Sequence, residues 1–196
     1  MKKGEKRKQE LLQIAYRLFL ARGYENTSVD EIIDEAGIAK GTYYYYFESK
    51  EQMLEEVIGL MIGQEAEAAR QIQGSDLSVP EKIVGIIASL RPSREETTIK
   101  EALHQPQNLL MHEKTLKKLI DTVVPLLAET AEEGIRQGIF CCDHVQERVR
   151  MLMTISNQLF NDGHYTEGDI TVFIDLIEKM LGAAPGTMEF IRTLIQ

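Results

Sequence analysis

The stretch from Thr27 to Phe47 constrains the fold more than any other part of this chain. Ser28 and Glu31 have the spacing of a capping box, in which each side chain binds the backbone N–H of the other residue. Gly37 provides the positive φ at which a helix ends at little cost, so a second helix is expected to begin two or three residues later. A helix, a short glycine turn and a second helix form the helix-turn-helix pattern.

The second helix of this motif carries one lysine and a run of hydroxyl groups. Tyr43 and Phe47 are four residues apart, so they share a face and are expected to pack inward. Of the other positions on this helix, Thr42, Tyr45 and Tyr46 are expected to point outward, and Tyr44 is expected to lie at the border of the inward face. An aromatic-rich core helix is the alternative, but four consecutive tyrosines point in all directions around a helix axis and cannot all be buried. Lysine and tyrosine side chains bind phosphates, and aromatic rings contact thymine methyl groups.

The motif resembles the DNA-binding domain of TetR-type transcriptional regulators over about the first third of the chain. The resemblance lies in Gly23-Tyr24, Thr27-Ser28-Val29, the run Ala36 to Phe47, and Ser49-Lys50-Glu51. It implies an all-helical homodimeric repressor with a ligand pocket in a larger C-terminal domain. The residues expected to contact DNA are Thr27, Ser28, Ala39, Lys40, Gly41, Thr42, Tyr44, Tyr45, Tyr46 and Lys50. Related sequences commonly carry serine or threonine where this chain has Ala39, so the second helix is expected to lack a side-chain cap.

Charge is divided unevenly along the chain. The net charge is −9, yet residues 1–50 hold nine Lys/Arg against eight Asp/Glu. A near-neutral head is therefore expected to approach DNA, while the acidic remainder is held away from it. The acidity also keeps the body soluble, and it slightly favours a cationic ligand. A basic run at the start is expected either as an exposed tail or against the DNA backbone: Lys2, Lys3, Lys6, Arg7 and Lys8.

Helical periodicity continues to the end of the chain, so the predicted fold class is all-α. The predicted domains are a helix-turn-helix domain at 1–50, a linking helix at 49–73, and a C-terminal ligand-binding and dimerisation domain at 74–196. A sixth helix is expected to be capped by Ser93 after a break at Pro92, and an eighth to end at Asn161-Asp162-Gly163. Pro125 removes one backbone bond of a long seventh helix and is expected to kink it.

Two sets of residues in the C-terminal part are assigned roles. Apolar stripes on helices eight and nine predict a homodimer interface, formed by Leu152, Ile155, Leu159, Phe173, Ile177 and Met180. Polar or soft side chains that interrupt apolar faces are the candidates for a ligand pocket, although ordinary packing or surface exposure is the commoner reason for such side chains: His104, Met111, His112, Asn157 and Phe160.

No motif of catalysis or metal binding accompanies these features. The adjacent Cys141 and Cys142 do not favour a disulfide, and the histidines have no zinc-ligand spacing. No signal core or long apolar run occurs, so a cytoplasmic protein with no membrane segment, cofactor or enzymatic activity is expected. Three functions compete: a repressor released by a small molecule, a DNA-binding protein controlled by a protein partner or organising the chromosome, and a helical enzyme or structural bundle.

Overall fold

The computed structural model describes residues 3–90, 97–160 and 164–195. Within these ranges every regular element is helical, and the all-α prediction is confirmed. The α-helices are α1 (Lys3–Arg22), α2 (Val29–Ala36), α3 (Lys40–Tyr46), α4 (Lys50–Gln73), α5 (Val79–Ser89), α6 (Thr97–Leu103), α7 (Leu109–Arg136), α8 (Val145–Phe160), α9 (Glu167–Leu181) and α10 (Arg192–Ile195). Short 3-10 turns at Pro106–Asn108 and Glu189–Ile191 precede α7 and α10.

Two features of the later helices follow from residues in the sequence. Pro125 lies inside α7, and α9 begins at a complete Thr166–Asp169 capping box. The predicted cap of α6 at Ser93, the break at Pro92, the end of helix eight at Asn161-Asp162-Gly163 and the basic residue Lys2 lie outside the described residues. No helix in the described part of the chain is long and apolar enough to cross a membrane.

The chain forms two compact units. The first unit comprises Met1–Gln64 and Pro92–Lys117, and the second comprises Glu65–Arg91 and Lys118–Gln196. This division differs from the predicted boundary, because α6 belongs to the unit that holds the helix-turn-helix. There α6 packs against α1 and buries Ile99 completely.

The first unit surrounds the helix-turn-helix with apolar side chains from three directions. Fully buried residues recur at helical spacing on α1, and α2, α3 and α4 each contribute to the same core. The members without exposed surface are Leu11, Ala15, Phe19, Ile32, Tyr43, Phe47, Met53, Leu54 and Val57. Burying each large side chain contributes about 1.5–3 kcal/mol, so this core fixes the position of the motif.

In the second unit the C-terminal segment packs against α5 and α9. Helix α9 ends at Gly182, which has a φ of 64°. A side chain there would overlap the carbonyl oxygen of Cys141, whose N–H donates to the carbonyl of Leu181 at 2.9 Å. Both the positive φ and the close backbone approach therefore require glycine at this position.

Candidate functional site

The turn of the helix-turn-helix is fixed at both ends of α2. At the start, the Ser28 hydroxyl accepts the Glu31 N–H at 3.2 Å, and the Ser28 N–H donates to the Glu31 carboxylate at 2.7 Å. The bond from the Ser28 N–H, and then a bond that the Ser28 hydroxyl donates to the same carboxylate at 2.9 Å, lower the pKa of Glu31 below its ordinary value. At the end, Gly37 has a φ of 59° and the N–H of Ile38 donates to the carbonyl of Ile33 at 3.2 Å. The predicted capping box and glycine turn are confirmed.

Helix α3 begins without a side-chain cap. Ala39 has the extended backbone of an N-cap, with φ −74° and ψ 147°, and its methyl group accepts no hydrogen bond. Its carbonyl oxygen accepts the N–H of Thr42 at 2.8 Å. The free N–H groups of the first turn therefore lack the hydroxyl partner that serine would provide.

The aromatic side chains of α3 divide between the core and the surface. Tyr43 and Phe47 are fully buried, as predicted, whereas Tyr45 is 79% exposed and Tyr44 is 49% exposed. Tyr46 is half-buried, with its hydroxyl close to Gly4 at the start of α1. The position at the border of the core is therefore Tyr46 and not Tyr44, because α1 covers that side of α3.

Tyr43 holds α3 in place through its ring and its hydroxyl. The hydroxyl donates to the Ser49 carbonyl at 3.4 Å, and the ring lies 5.7 Å from the ring of Phe47 between centroids. Burial, followed by the nearby Tyr44 and Glu51, raises the pKa of Tyr43 to about 12. The hydroxyl therefore stays protonated, and α3 presents its other tyrosines from a rigid base.

The two lysines expected at phosphates already have partners. Lys40 Nζ lies 3.0 Å from a carboxylate oxygen of Asp30, and this exposed pair raises the pKa of Lys40. Lys50 Nζ lies 4.1 Å from the centroid of the Tyr24 ring, where burial lowers its pKa. Exposed ion pairs of the Lys40 kind contribute little, so Lys40 exchanges partners at small cost. Lys50 is held in a cation–π contact, which fixes its position at the start of α4.

One expected DNA contact is wrong. Thr27 is only 1% exposed, and its hydroxyl donates to the Gly23 carbonyl at 2.9 Å. Its role is to close the turn before α2, because a buried hydroxyl needs an internal partner. Ser28 and Gly41 are exposed at the same surface.

Two residues of the basic run have structural roles that the sequence did not reveal. Arg7 donates to the carbonyl of Ala36 at 3.2 Å, at the C-terminus of α2, where a positive charge is favourable. Lys8 forms an ion pair with Glu56 of α4 at 2.7 Å. The partners in these two contacts are separated by 29 and 48 positions in the sequence, so no local sequence pattern predicts them. The described part of the run belongs to α1 and is not a free tail.

A cavity of about 320 Å³ lies inside the second unit. Of the five residues predicted at a ligand pocket, only Phe160 lines this cavity, and the role of the other four stays a prediction. His104, Met111 and His112 belong to the first unit, and Asn157 is not among the lining residues. No acidic residue lines this cavity, whereas the expected preference for a cationic ligand came from the acidity of the whole body and stays a prediction. The lining residues are Ile83, Ile87, Leu127, Ala131, Val149, Leu152, Met153, Ser156, Phe160, Phe173, Ile177, Leu181, Met188, Ile191, Leu194 and Ile195.

Three of the residues predicted at a dimer interface face this cavity instead. Leu152, Phe173 and Ile177 are buried within their own unit and line it, so the prediction is wrong for them. The other members, Ile155, Leu159 and Met180, keep part of their surface exposed. Two further apolar side chains lie open on the same helices, Met151 on α8 and Val172 on α9. Both helices therefore carry apolar residues on more than one face. One set is buried in the core of the unit, and the other set stays at the surface.

The remaining candidate groups do not form a reactive centre in the described residues. Cys141 and Cys142 are both free, and burial raises the pKa of the Cys142 thiol. No group of three or more histidine, cysteine or acidic side chains within the described ranges is placed to hold a metal ion.

Comparison with known proteins agrees with this geometry. Residues 11–57 match the sequence model of the family described as bacterial regulatory proteins, tetR family. The transcriptional repressor KstR2 of Mycolicibacterium smegmatis is 29% identical over 138 residues, which cover 68% of this chain and 67% of that protein. The motif and these matches define a helix-turn-helix regulator of transcription. Over residues 11–57 the chain is similar to the TetR family, and the matched relative is a repressor of transcription.

Solved structures extend the likeness in fold to nearly the whole chain. RolR, solved in complex with resorcinol, has a TM-score of 0.65 and 18% identity, covering 99% of this chain and 95% of that chain. FadR of Bacillus subtilis, solved in complex with stearoyl-CoA, has a TM-score of 0.55 and 20% identity, covering 90% of this chain and 98% of that chain. At these identities the likeness concerns the fold alone.

Proposed function

We propose that this protein is a homodimeric cytoplasmic repressor that binds a palindromic operator and releases it when a small molecule enters the second unit. The observation that carries the proposal is the division of α3. Tyr43 is fully buried, while Tyr44 and Tyr45 are exposed, and Tyr44 lies near Lys40. Exposed aromatic side chains on a helix anchored in this way match the requirements of a recognition helix in the major groove.

The surface side chains divide by the part of DNA that they would contact. Lys40, Lys50 and the Ser28 hydroxyl meet phosphates, which position the protein without reading sequence. Thr42, Tyr44 and Tyr45 meet base edges and thymine methyl groups. Gly41 and Ala39 have small side chains, so the start of α3 can approach the DNA backbone closely. Tyr46 packs between α3 and α1 and supports α3 from that side.

Spacing of the two recognition helices requires a second copy of the chain. Two half-sites must lie about 34–36 Å apart, or a compatible multiple, along the DNA. The exposed apolar side chains of α8 and α9 support this pairing: Met151, Ile155, Leu159, Val172 and Met180. An effector then acts only through a different affinity for the DNA-fitting and the misfitting arrangements of the dimer. Helix α7 supplies Leu127 and Ala131 to the cavity and also begins in the first unit, so it is a covalent route for that coupling.

DNA binding is tested by titrating three variants, Tyr45→Ala, Lys40→Ala and Lys50→Ala, with two kinds of DNA. One is DNA that the protein selects from a random pool, and the other is random DNA. Tyr45→Ala should weaken the selected DNA more than random DNA, because it removes a base contact. Lys40→Ala and Lys50→Ala should weaken both DNAs alike and flatten the salt dependence. Titrations at two salt concentrations separate these effects. A change of sequence preference in the lysine variants, with none in Tyr45→Ala, contradicts the assignment.

The dimer is tested by sedimentation at micromolar concentration. Ile155→Glu should produce monomers, because it places a charge in the apolar contact between the copies. Thr154→Glu, at an exposed neighbouring position on the same helix, is the matched control and should remain dimeric. A parent protein that sediments as a monomer refutes this part of the proposal.

A further inference from the structure

The cavity of the second unit offers a ligand no counter-charge. Fifteen of its sixteen lining residues are apolar, and the remaining one is Ser156. Two buried charged residues of this unit are committed elsewhere. Lys82 pairs with Glu133 at 2.7 Å, and the carboxylate of Glu178 accepts the N–H of Met188 at 3.0 Å. An ionised group that entered this cavity would lose its hydration and gain no partner, which costs far more than apolar contacts return.

Resting on the proposed function, we propose that the effector is an uncharged, largely apolar molecule with a single hydrogen-bonding group directed at Ser156. The volume of about 320 Å³ equals that of about ten water molecules. A chain or ring system of about ten non-hydrogen atoms therefore fits inside. Met153 and Met188 line the cavity as well, and their flexible side chains adapt to the outline of such a ligand.

Ser156 is the polar group that gives the ligand its orientation. It lies four residues from Leu152 and four from Phe160 on α8, so all three share the cavity face. Four helical threonines of this chain donate their hydroxyls to the carbonyl four residues earlier. The Ser156 hydroxyl makes no such bond with any described residue. It is therefore available to donate to, or accept from, one polar atom of the ligand.

The C-terminal segment completes the site with an apolar inner side and a polar outer side. Met188, Ile191, Leu194 and Ile195 face the cavity. On the outer side, the Tyr165 hydroxyl donates to the Ile195 carbonyl at 2.7 Å, and Arg192 pairs with Glu189 and Glu167. The charges of this segment are thus satisfied away from the ligand, which again favours an uncharged occupant.

Three probes of equal chain length test the charge requirement: 1-decanol, decanoate and decylammonium. Calorimetric titration of the full chain near neutral pH, without DNA, measures their affinities. We expect 1-decanol to bind at least tenfold more tightly than either ion. Equal affinities for all three probes, or tighter binding of an ion, overturn the inference.

Variants of α8 locate the site. Ser156→Leu fills the cavity, so it should abolish 1-decanol binding while the melting temperature stays equal or rises. Thr154→Leu, at an exposed position of the same helix, is the matched control and should bind normally. Ser156→Ala should weaken 1-decanol about fivefold, the value of one hydrogen bond. A folded Ser156→Leu protein that retains full affinity places the binding site elsewhere and refutes the inference.

Failure of this inference is separable from failure of the proposed function. Binding of 1-decanol is measured without DNA, and binding of the selected DNA is measured without 1-decanol. Tight DNA binding with no 1-decanol binding refutes the ligand class alone. Binding of 1-decanol by a protein that selects no DNA refutes the repressor and keeps the ligand class.

Discussion

Aromatic side chains are arranged in opposite ways in α3 and in the cavity of the second unit. In α3, Tyr45 projects from the surface with its hydroxyl free to meet a polar partner. In the second unit, Phe160 and Phe173 face a cavity, and their ring centroids are 5.2 Å apart. Neither ring carries a hydroxyl group. The first arrangement suits phosphates and base edges, and the second suits an apolar molecule. The choice of tyrosine or phenylalanine thus separates two kinds of partner within one chain.

The two regions also differ in how they are held. Helix α3 has only seven residues and no side-chain cap, so its position depends on what packs beneath it. Most of the cavity lining comes from the longer helices α5, α7, α8 and α9, and α9 has a complete cap at its start and a required glycine at its end. We therefore expect the recognition helix to depend on a single buried ring and the cavity to tolerate changes of side chain.

The largest expected effect would break the first half of this comparison. Tyr43→Ala removes the fully buried ring under α3 and should lower the free energy of unfolding by about 3–5 kcal/mol. Tyr45→Ala, two positions along the same helix, should change it by at most about 0.5 kcal/mol. Urea unfolding of both variants measures the difference. Similar losses in the two variants show that α3 is not divided between core and surface.

The next effect concerns the end of α9. Gly182→Ala introduces a side chain at positive φ and into the carbonyl of Cys141, so it should cost more than the roughly 1–3 kcal/mol of backbone strain alone. Gly186→Ala is the matched control, because that residue also has positive φ but has open space around it. Thermal melting compares the two. If both variants lose equal stability, the close approach between α9 and Cys141 is unimportant.

A smaller gain is expected at the start of the recognition helix. Ala39→Ser supplies the missing cap and should stabilise the first unit by about 0.5–2 kcal/mol. It should also tighten DNA binding, since its hydroxyl reaches a phosphate. Melting and DNA titration are measured together. Higher stability with weaker and less selective binding would show instead that the Ala39 methyl group reads a base.

The smallest expected effect is a pH dependence of stability that arises from His112 in the first unit. Burial, and then the neighbouring His104, lowers the pKa of His112, and Glu113 opposes this. Below pH about 6.5 the unfolded chain therefore takes up a proton more readily than the folded chain, and stability falls as the pH drops from about 7 to about 5. Replacing His112 with asparagine should flatten this dependence in urea unfolding, and an unchanged dependence would show that His112 is not its source.

The cavity provides the contrast to that titration. Its lining contains no titratable group, so 1-decanol affinity should change less than twofold over the same pH range. A steep change in affinity between pH 7 and pH 5 would mean that a charged residue reaches the bound molecule.

Local signals in the sequence determined the helix-turn-helix almost completely. The Ser28–Glu31 box, the Gly37 turn and the inward pairing of Tyr43 with Phe47 all span four residues or fewer, so their geometry follows from neighbours along the chain. The uncapped start of α3 at Ala39 was predicted from the resemblance to related sequences, which commonly carry serine or threonine at this position.

Only the tertiary structure decided what each apolar or polar side chain faces. An amphipathic stripe predicts that Leu152, Phe173 and Ile177 are buried. It does not predict whether they face a second copy of the chain or a cavity in their own unit. The burial of Thr27 against α1 and the bond from Arg7 to α2 were equally invisible. These contacts join residues distant along the chain, and such partners are fixed only when the helices pack together.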